Sequence, residues 1–564
     1  MPTSADLILR NGCLYTLDPA QPRAQALAIH GDSLVYVGDS YGAQDWVGSG
    51  TQVIDLQGRL VLPGFFDSHC HADSGADQLF CVNLYGLASP ETIRQSIQEY
   101  LLAHPGLTAL RGIGWSPPLF PPQGPTRQFL DELTPDIPAV LYSQDYHSVW
   151  LNTLALELAG ITTETHAPPG GVIEREPSGF PSGTLREAAM DLIEPEGRPA
   201  LIPAYSLEQL IEGLKHFQTQ AHSFGLTAVH IPHLSKERRE LQALLQMEAE
   251  GSLAMRVIVG LLVEPQDSPE VVNELSIIRQ EVNGRKLPHG VERFVTIQTA
   301  KLFVDGVIEG ATAYLLEPYL EPPQAHNQPL WQPEPFKSIC AALDQAGFQI
   351  HVHAIGDAAV RMALDGFENA HQANHPSRAA QPPRHGITHL QLVAPQDIAR
   401  FSRLGAVAFP QPYWFVQDSF YDLALKYLGP ERANRQYPLR SFFDHGVLVA
   451  SASDYPVTIP PRPLDGIESG VTRALPGETQ PERFLPPAEE RASLPQMVES
   501  FTLSGARAFG LEGLTGSLQA GKRADLTVLD RDIFSLPANE IHTAQVTMTI
   551  FNGKIVYSSQ GIST

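Results

Sequence analysis

The middle of the chain repeats one local pattern, a helical segment that ends at a glycine and runs directly into an apolar, β-rich segment. In residues 206–234, apolar side chains recur with helical spacing before Gly225, and the segment LTAVHIP follows at once. The residues of this helical face are Leu207, Leu210, Ile211, Leu214 and Phe217. The same pattern recurs at Gly347, Gly405 and Gly446, glycine being common just past a helix end. Strands that alternate with helices predict parallel β-α units.

Eight segments of the chain have the composition of strands in such units. In chain order they are RLVLPGFFDSH (59–69), LTAVHIP (226–232), AMRVIVGLL (254–262), VTIQTAKLFVDG (295–306), FQIHVHAIG (348–356), GITHLQL (386–392), AVAFPQP (406–412) and VLVASASD (447–454). Eight β-α units predict an α/β fold, a (β/α)8 barrel of the TIM type. In that fold the active site lies at the carboxyl ends of the strands.

The two ends of the chain differ from the middle, because both consist of short strand-like segments separated by turn signals. Neither end is long enough to close a sheet alone, so we expect a small β-sandwich formed by both termini, with two independent hairpins as the alternative. Between the first two barrel strands lies a long Pro- and Gly-rich interval, interpreted as an inserted subdomain. The predicted boundaries are 1–62 and 511–564 for the sandwich, 63–74 and 200–510 for the barrel, and 75–199 for the insertion.

Composition narrows the class of protein. The 564 residues carry a net charge of −24, which argues against nucleic acid or an anionic membrane as a partner. The four cysteines are scattered without C-x-x-C spacing, as expected in a reducing compartment. The N-terminal segment lacks the features of a signal peptide, and no run approaches the ~18 apolar residues of a membrane span. We therefore expect a cytoplasmic protein.

Polar residues of unusual type stand where the predicted strands end. They are His69 and His71 on strand one, Lys301 on strand four, His351 and His353 on strand five, His389 on strand six and Asp454 on strand eight. Each residue alone has a purely structural explanation. Their joint position predicts a site for a divalent metal such as zinc, because neutral imidazoles and carboxylates are its usual ligands. Residues i and i+2 of a strand share a face, so Cys70 is expected to pack against the helices.

The sequence resembles the amidohydrolase superfamily, and within it amidohydrolase family 3, the branch that includes N-substituted formamide deformylase. The segments that show the resemblance are LPGFFDSHCH, GIGWS, HSVWLN, GTLREAAMD, KLFVDG, HVHAIGD, ITHLQLV, FPQP, SASDYPV and GSLQAGKRADLTVLD, which span nearly the whole chain. Two departures are Ala452, where the family usually has glycine, and Phe409, where it usually has a small residue.

The resemblance implies a role for each of these polar residues. His69 and His71 would bind the buried metal, and Lys301, carboxylated by carbon dioxide, would bridge to a second ion. His353 and His389 would bind that second ion, while Asp454 would contact the metal and move the proton. A site with one metal and no bridging lysine, as in other branches of the superfamily, is the alternative.

Residues outside this set are candidates for contact with substrate. Trp115 and His147 lie in the insertion, and Phe409, Tyr413 and Trp414 follow strand seven. Folding of the insertion, a local core or a homodimer contact are the alternatives for these side chains. An aromatic pocket lining would favour a small-molecule substrate with a hydrophobic or aromatic substituent.

Four further polar residues are less specific. Asn152 is a candidate for contact with substrate or for folding of the insertion, and Asp305 and Asp357 are expected to brace loops. Glu187 could meet a substrate amine, pair with Arg186 or lie on a helix surface.

The sequence thus predicts a metal-dependent hydrolase that cleaves a C–N bond, in an amide or N-substituted formamide. The resemblance implies that metal-activated water attacks the carbonyl and that Asp454 receives the proton, which it can pass to the leaving amine. Deamination or opening of a cyclic amide or imide is the alternative chemistry at the same centre. A non-catalytic relative that binds a small molecule is the alternative of another class.

Overall fold

The computed structural model describes residues 4–168, 170–194, 200–234, 238–290, 292–321, 327–374 and 384–559. The chain begins with short strands. They are β1 (Leu7–Arg10), β2 (Cys13–Tyr15), β3 (Arg23–Ala24), β4 (Ala26–His30), β5 (Ser33–Gly38), β6 (Gln52–Asp55) and β7 (Leu60–Pro63). Four of them form a sheet in the order β5-β4-β1-β6, with β1 antiparallel to β4 and parallel to β6.

The chain then enters the central sheet with β8 (Phe65–Asp67) and leaves it for the insertion. The elements that follow are α1 (Gly75–Phe80), β9 (Val82–Asn83), α2 (Pro90–Ala103), β10 (Leu110–Trp115), α3 (Arg127–Asp131), β11 (Ala139–Ser143), β12 (Ser148–Leu151), α4 (Thr153–Ala159), β13 (Gly171–Arg175) and β14 (Pro181–Glu187). Their strands form a separate mixed sheet in the order β13-β14-β12-β11-β10-β9.

From residue 207 onwards, strands and helices alternate. The elements are α5 (Leu207–Ser223), β15 (Leu226–Ile231), α6 (Arg239–Ala249), β16 (Arg256–Leu262), α7 (Val271–Gly284), β17 (Val295–Phe303), α8 (Pro333–Gln345), β18 (Gln349–Ala354), α9 (Asp357–Asn374), β19 (Gly386–His389), α10 (Pro395–Leu404), β20 (Val407–Phe409), α11 (Ser419–Leu428), α12 (Pro430–Ala433), α13 (Leu439–Asp444) and β21 (Leu448–Val449). Among the described residues, β8 and β15 to β21 form an eight-stranded parallel sheet in sequential order.

Helix α5 shows how local sequence positions these elements. Ser206 and Gln209 form a capping box: the hydroxyl of Ser206 accepts from the backbone N–H of Gln209 at 3.2 Å, and Oε1 of Gln209 accepts from the N–H of Ser206 at 2.9 Å. The face with Leu210, Leu214 and Phe217 is buried, as the helical spacing predicts. Gly225, at φ +81°, then turns the chain into β15.

Hydrogen bonds connect the first and last strands of the parallel sheet, which is therefore curled. The backbone N–H of Ser68 donates to the carbonyl of Ser451 at 3.2 Å, and that of Asp454 donates to the carbonyl of His69 at 2.8 Å. The carboxylate of Asp67 accepts from the N–H of Ser453 at 2.9 Å. The carboxyl ends of all eight strands consequently surround one region, as the predicted barrel requires.

The predicted first barrel strand is wrong in one respect, because RLVLPGFFDSH forms two strands in different sheets. Gly64 lies between β7 and β8, and a Cβ atom added to it would lie 2.2 Å from Oγ1 of Thr227. Only glycine allows this close approach, so the chain can bend here from one sheet into the other. β7 pairs with β2 and β8 with β15.

The last part of the chain returns to the N-terminal strands. It contains α14 (Pro463–Thr472), α15 (Leu494–Ser500), α16 (Leu503–Ala508), β22 (Leu526–Leu529), β23 (Val546–Phe551) and β24 (Lys554–Ser558). β22 pairs antiparallel with β7, so strands from both ends form the sheet β24-β23-β22-β7-β2-β3. Leu9, Leu27, Val528 and Met548 belong to one hydrophobic cluster between strands of both terminal sheets. The domain boundaries stay predictions. None of the helices among the described residues has an apolar stretch of the length that a membrane crossing requires.

Candidate active site

Three of the predicted ligands converge where the parallel sheet closes. Nε2 of His69 lies 3.1 Å and Nε2 of His71 lies 3.5 Å from Oδ1 of Asp454. One ligand atom from each of the three lies within 4.8 Å of the others, and His69 and Asp454 are buried. Asp454 has φ 57°, which turns the chain sharply after β21. Two imidazole nitrogens and one carboxylate oxygen are a suitable donor set for a divalent metal.

The other three predicted ligands lie on neighbouring strands of the same sheet. The pairing of β17 with β18 sets Phe303 beside His353, and the pairing of β18 with β19 sets Ala354 beside His389. The rings of His353 and His389 are 4.5 Å apart between centroids, and Nδ1 of His389 lies 3.9 Å from Oδ2 of Asp454. Nζ of Lys301 lies 4.6 Å from the ring centroid of Phe303 and is buried.

Burial controls the protonation of this cluster. It lowers the pKa of Lys301 to about 7 and that of His389 to about 3, and it holds the pKa values of His69 and His353 well below their usual range. Burial alone would raise the pKa of Asp454, but the neighbouring imidazole of His69 reverses this and holds it well below its usual value. The imidazoles of His69, His353 and His389 are therefore neutral and the carboxylate of Asp454 is ionised, which are the metal-binding forms.

Three further histidines lie behind the predicted ligands or beside them, and one of them orients His69. Nδ1 of His69 is hydrogen-bonded to Nε2 of His351 at 2.7 Å, so its Nε2 faces Asp454. His351 was predicted to share a strand face with His353. Two further histidines were not among the predicted site residues. His230 hydrogen-bonds the carbonyl of Ser68 through Nδ1 at 3.0 Å, and the ring centroid of His233 lies 5.1 Å from that of His71. Both lie at the end of the second barrel strand, β15, or just after it. The search for polar residues at strand ends, applied to this strand, would have identified them.

The loops after β17 and β18 are braced by carboxylates, as expected. Asp305 accepts backbone hydrogen bonds from Tyr314 at 2.9 Å, Ile355 at 3.0 Å and Gly356 at 2.9 Å. Burial raises the pKa of Asp305 to about 7. Asp357 accepts from the N–H of Leu316 at 2.9 Å.

His147 of the insertion is bound to Glu187. Nδ1 of His147 lies 2.8 Å from Oε2 of Glu187, and Oε1 of Glu187 accepts from the hydroxyl of Thr312 at 2.7 Å. Burial opposes protonation of His147, but the Glu187 carboxylate outweighs it and raises the pKa to about 9. Arg186, the alternative partner of Glu187, instead pairs with Glu174 at 3.0 Å. The carboxylate of Glu187 is thus buried against His147 and does not lie on a helix surface.

A cavity of about 350 Å³ opens beside these residues. Its polar wall includes His147, His353, His389 and Asp454. Its apolar wall includes Tyr413, Trp414, Phe420, Tyr421 and Tyr437. Trp414 stacks on His389 with 5.6 Å between centroids and 12° between planes, and its indole N–H donates to Oγ1 of Thr458 at 3.0 Å. Three of the predicted substrate contacts, His147, Tyr413 and Trp414, therefore line one cavity with three predicted ligands.

The other two predicted substrate contacts lie elsewhere, in hydrophobic cores. Trp115 is fully buried in the insertion, where its indole N–H donates to the carbonyl of Leu141 at 2.9 Å and its ring packs against Trp150. Phe409 is fully buried inside the barrel, with its ring centroid 5.7 Å from that of Phe509. Neither residue lines the cavity, because both have side chains directed into cores.

Two other residues also have structural contacts. Asn152 caps α4 by accepting from the N–H of Ala155 at 2.9 Å, so it folds the insertion. Cys70 is buried, as its position on the strand predicted.

An eight-stranded parallel sheet whose carboxyl ends surround a His/His/Asp set is the architecture of a metal-dependent hydrolase. The chain belongs to the amidohydrolase family, whose model matches residues 52–557. Protein LONG AFTER FAR-RED 3 of Arabidopsis thaliana is 30% identical over 98% of this chain and 92% of its own length. N-substituted formamide deformylase of Arthrobacter pascens is 24% identical over 99% of both chains. An uncharacterised metal-dependent hydrolase from Pyrococcus horikoshii OT3 has a similar structure, with a TM-score of 0.71 and 25% identity over 94% of this chain and 99% of its own.

Proposed function

We propose that the protein hydrolyses the C–N bond of an N-substituted formamide or a similar small amide at a divalent-metal centre. The observation on which this proposal depends is the convergence of His69, His71 and Asp454 at the closure of the parallel sheet. The full-length similarity to an N-substituted formamide deformylase supports the choice of substrate class.

The donor atoms fit a metal ion. His69, His71 and Asp454 would hold one ion, because their donor atoms already lie close together, with His69 and Asp454 buried and His71 partly exposed. His353, His389 and a carboxylated Lys301 would hold a second, and zinc suits this mixture of imidazole and carboxylate donors. When bound, the metal supplies Lewis-acid activation of water and of the amide carbonyl.

The chain's own residues supply proton transfer and orientation. Oδ1 of Asp454 faces His69 and His71, while Oδ2 faces His389 at the cavity wall. An ionised Oδ2 at this position is suited to take a proton from the attacking water. Trp414 and Tyr413 would orient the substituent on the amide nitrogen, because both line the apolar side of the cavity. The reaction also needs a proton at the leaving nitrogen.

Metal analysis tests the centre. We would measure zinc bound to the purified wild type, His69→Ala and Lys301→Ala by elemental analysis, with His289→Ala as a control because His289 is exposed on a loop. We expect about two equivalents in the wild type and the control, and a reduced content in both site variants. One equivalent that Lys301→Ala leaves unchanged would establish a mononuclear site. No metal under zinc-replete conditions would refute the proposed mechanism.

Activity then tests the reaction. The wild type should release formate from N-benzylformamide, whereas His69→Ala should be inactive. If the protein hydrolyses cyclic imides or deaminates heterocycles but does not hydrolyse formamides, the alternative chemistry at the same centre would be favoured. A metal-loaded protein inactive on all three classes but binding a small molecule would favour a non-catalytic role.

A further inference from the structure

His147 is a polar residue of the cavity to which the proposed mechanism gives no role, and it is the one that lies beside a predicted metal ligand of β18. It lies in the short connection between β11 and β12 of the insertion, yet its ring centroid is only 5.1 Å from that of His353 on β18. It lines the same cavity as His353, His389 and Asp454. The insertion therefore contributes an ionisable side chain to a cavity whose predicted metal ligands belong to the barrel.

Contacts on several elements fix the orientation of His147. Nδ1 is bound to Glu187 at 2.8 Å, and the second carboxylate oxygen of Glu187 is held by Thr312 at 2.7 Å. The backbone N–H of His147 donates to the carboxylate of Asp145 at 3.0 Å. Within the described residues, Nε2 of His147 has no hydrogen-bond partner. With Nδ1 occupied, Nε2 is the nitrogen left to interact with a bound molecule.

The support behind Glu187 is unusually specific. Glu187 has φ 48° and ψ −132°, a strained conformation for a residue other than glycine. Such strain persists only where the surroundings impose it, and it is common at active sites. A Cβ atom on Gly306 would lie 2.2 Å from Oε1 of Glu187. The position of this carboxylate therefore also requires a glycine at residue 306 of the barrel.

His147 and Asp454 occupy different parts of the cavity wall. His147 lies beside His353 of β18, whereas Asp454 follows β21, and β19 and β20 separate these strands in the sheet. Attack of water and departure of the amine take place at different positions around the carbonyl carbon. Two proton-transferring groups at separate positions can serve both, as in other hydrolases that pair an acid with a base.

We infer that His147 protonates the leaving nitrogen of the amide through Nε2 and that Glu187 is the positioning residue that orients it. This inference rests on the proposed function, and it gives to His147 the protonation of the amine that the family resemblance implies for Asp454. Water oxygen bonds to the carbonyl carbon while Asp454 takes one water proton. The C–N bond breaks with its electron pair remaining on nitrogen, which receives the proton of His147 Nε2. Transfer of the proton from Asp454 to His147 through solvent restores both groups, and the products are the amine and formic acid.

The experiment compares two substrates that differ in the basicity of the leaving amine. N-benzylformamide releases a basic amine that must be protonated, whereas 4-nitroformanilide releases a weakly basic one. We expect His147→Gln to lower kcat on N-benzylformamide by about 100-fold, with KM little changed, and to lower it by less than about fivefold on 4-nitroformanilide. Glu187→Gln should show the same substrate dependence with a smaller loss. His289→Gln, an exposed loop variant, should match the wild type on both substrates.

Equal losses on the two substrates, or loss of bound zinc from His147→Gln, would overturn the inference, because either result indicates a structural role. If the wild type hydrolyses neither substrate, the proposed function fails, and a second measurement decides the inference. In protein labelled with ¹⁵N-histidine, the Nε2 resonance of His147 is identified by its absence in His147→Gln. A shift on addition of benzylamine would support contact with the amine, and an unchanged resonance would overturn it.

Discussion

Nε2 of His69 lies 3.1 Å from Oδ1 of Asp454, although the two residues follow the first and the last strand of the parallel sheet. The backbone joins the same two residues, since the N–H of Asp454 donates to the carbonyl of His69 at 2.8 Å. The contact forms only when the sheet curls until its ends meet. Metal affinity at this position therefore depends directly on closure of the barrel.

Uptake of carbon dioxide by Lys301 should depend on pH. Burial lowers the pKa of Lys301 to about 7, so the neutral, nucleophilic amine becomes the major form as the pH rises through that value. We expect bicarbonate to increase the zinc bound by metal-free protein at about pH 8 and to have little effect at about pH 6. The measurement is zinc content after dialysis at both pH values.

Two variants control this experiment. Lys301→Met should show no bicarbonate effect, and Lys215→Met, which changes an exposed lysine, should behave as the wild type. If bicarbonate leaves the zinc content of the wild type unchanged at both pH values, that result would contradict a carboxylated bridge.

Trp414 should select substrates by the size of their substituent. It lines the apolar side of the cavity and is fixed by its stacking on His389 and its hydrogen bond to Thr458. We expect Trp414→Ala to raise KM for N-benzylformamide by about tenfold, equivalent to about 1.4 kcal/mol of binding. KM for N-methylformamide should stay within about threefold, since its substituent is too small to lose much contact. Equal effects on the two substrates would place the substituent elsewhere.

Gly306→Ala should destabilise the protein and disturb Glu187. The added methyl group would lie 2.2 Å from Oε1 of Glu187 and from Oγ1 of Thr312, so these side chains must move. We expect a loss of about 1–3 kcal/mol in the free energy of unfolding, measured by urea denaturation. Gly50→Ala is the matched control, because a Cβ atom there meets nothing within 4 Å, and it should change stability by less than about 0.5 kcal/mol. Similar effects of the two substitutions would refute this steric argument.

A buried ion pair joins the barrel to the terminal strands. Nε of Arg256 on β16 lies 2.9 Å from Oδ2 of Asp525, with the side chains 5% and 1% exposed. We expect Asp525→Ala to lower the free energy of unfolding by about 3 kcal/mol, because it leaves a buried guanidinium without this partner. Asp444→Ala removes the exposed ion pair with Arg440, where the side chains are 46% and 53% exposed, and should cost less than about 1 kcal/mol. Denaturation of both variants would show whether the difference in burial has this effect.

Much of the architecture was predictable because the signals are local. Helical spacing before glycine and apolar runs after it identified the β-α units, and the eight-stranded parallel sheet has the predicted order. The division of the first strand at Gly64 was missed, because the close approach to Thr227 comes from a distant part of the chain. For Phe409, the sequence left contact with substrate and a core position open, and distant contacts decided for the core. It ends a strand at the mouth side, but its ring packs inward against His351 and Phe509.

By itself, the sequence determined which residue types end each strand. The spacing of apolar residues and the end of a strand can both be recognised from residues that are neighbours in the chain. It therefore predicted His69, His71 and Asp454 as members of one site before any contact between them was known. Only the tertiary structure decided that His147 of the insertion meets Glu187 and lies beside His353. Contacts between a long insertion and a barrel depend on how two different sheets pack against each other, and no local pattern encodes that packing.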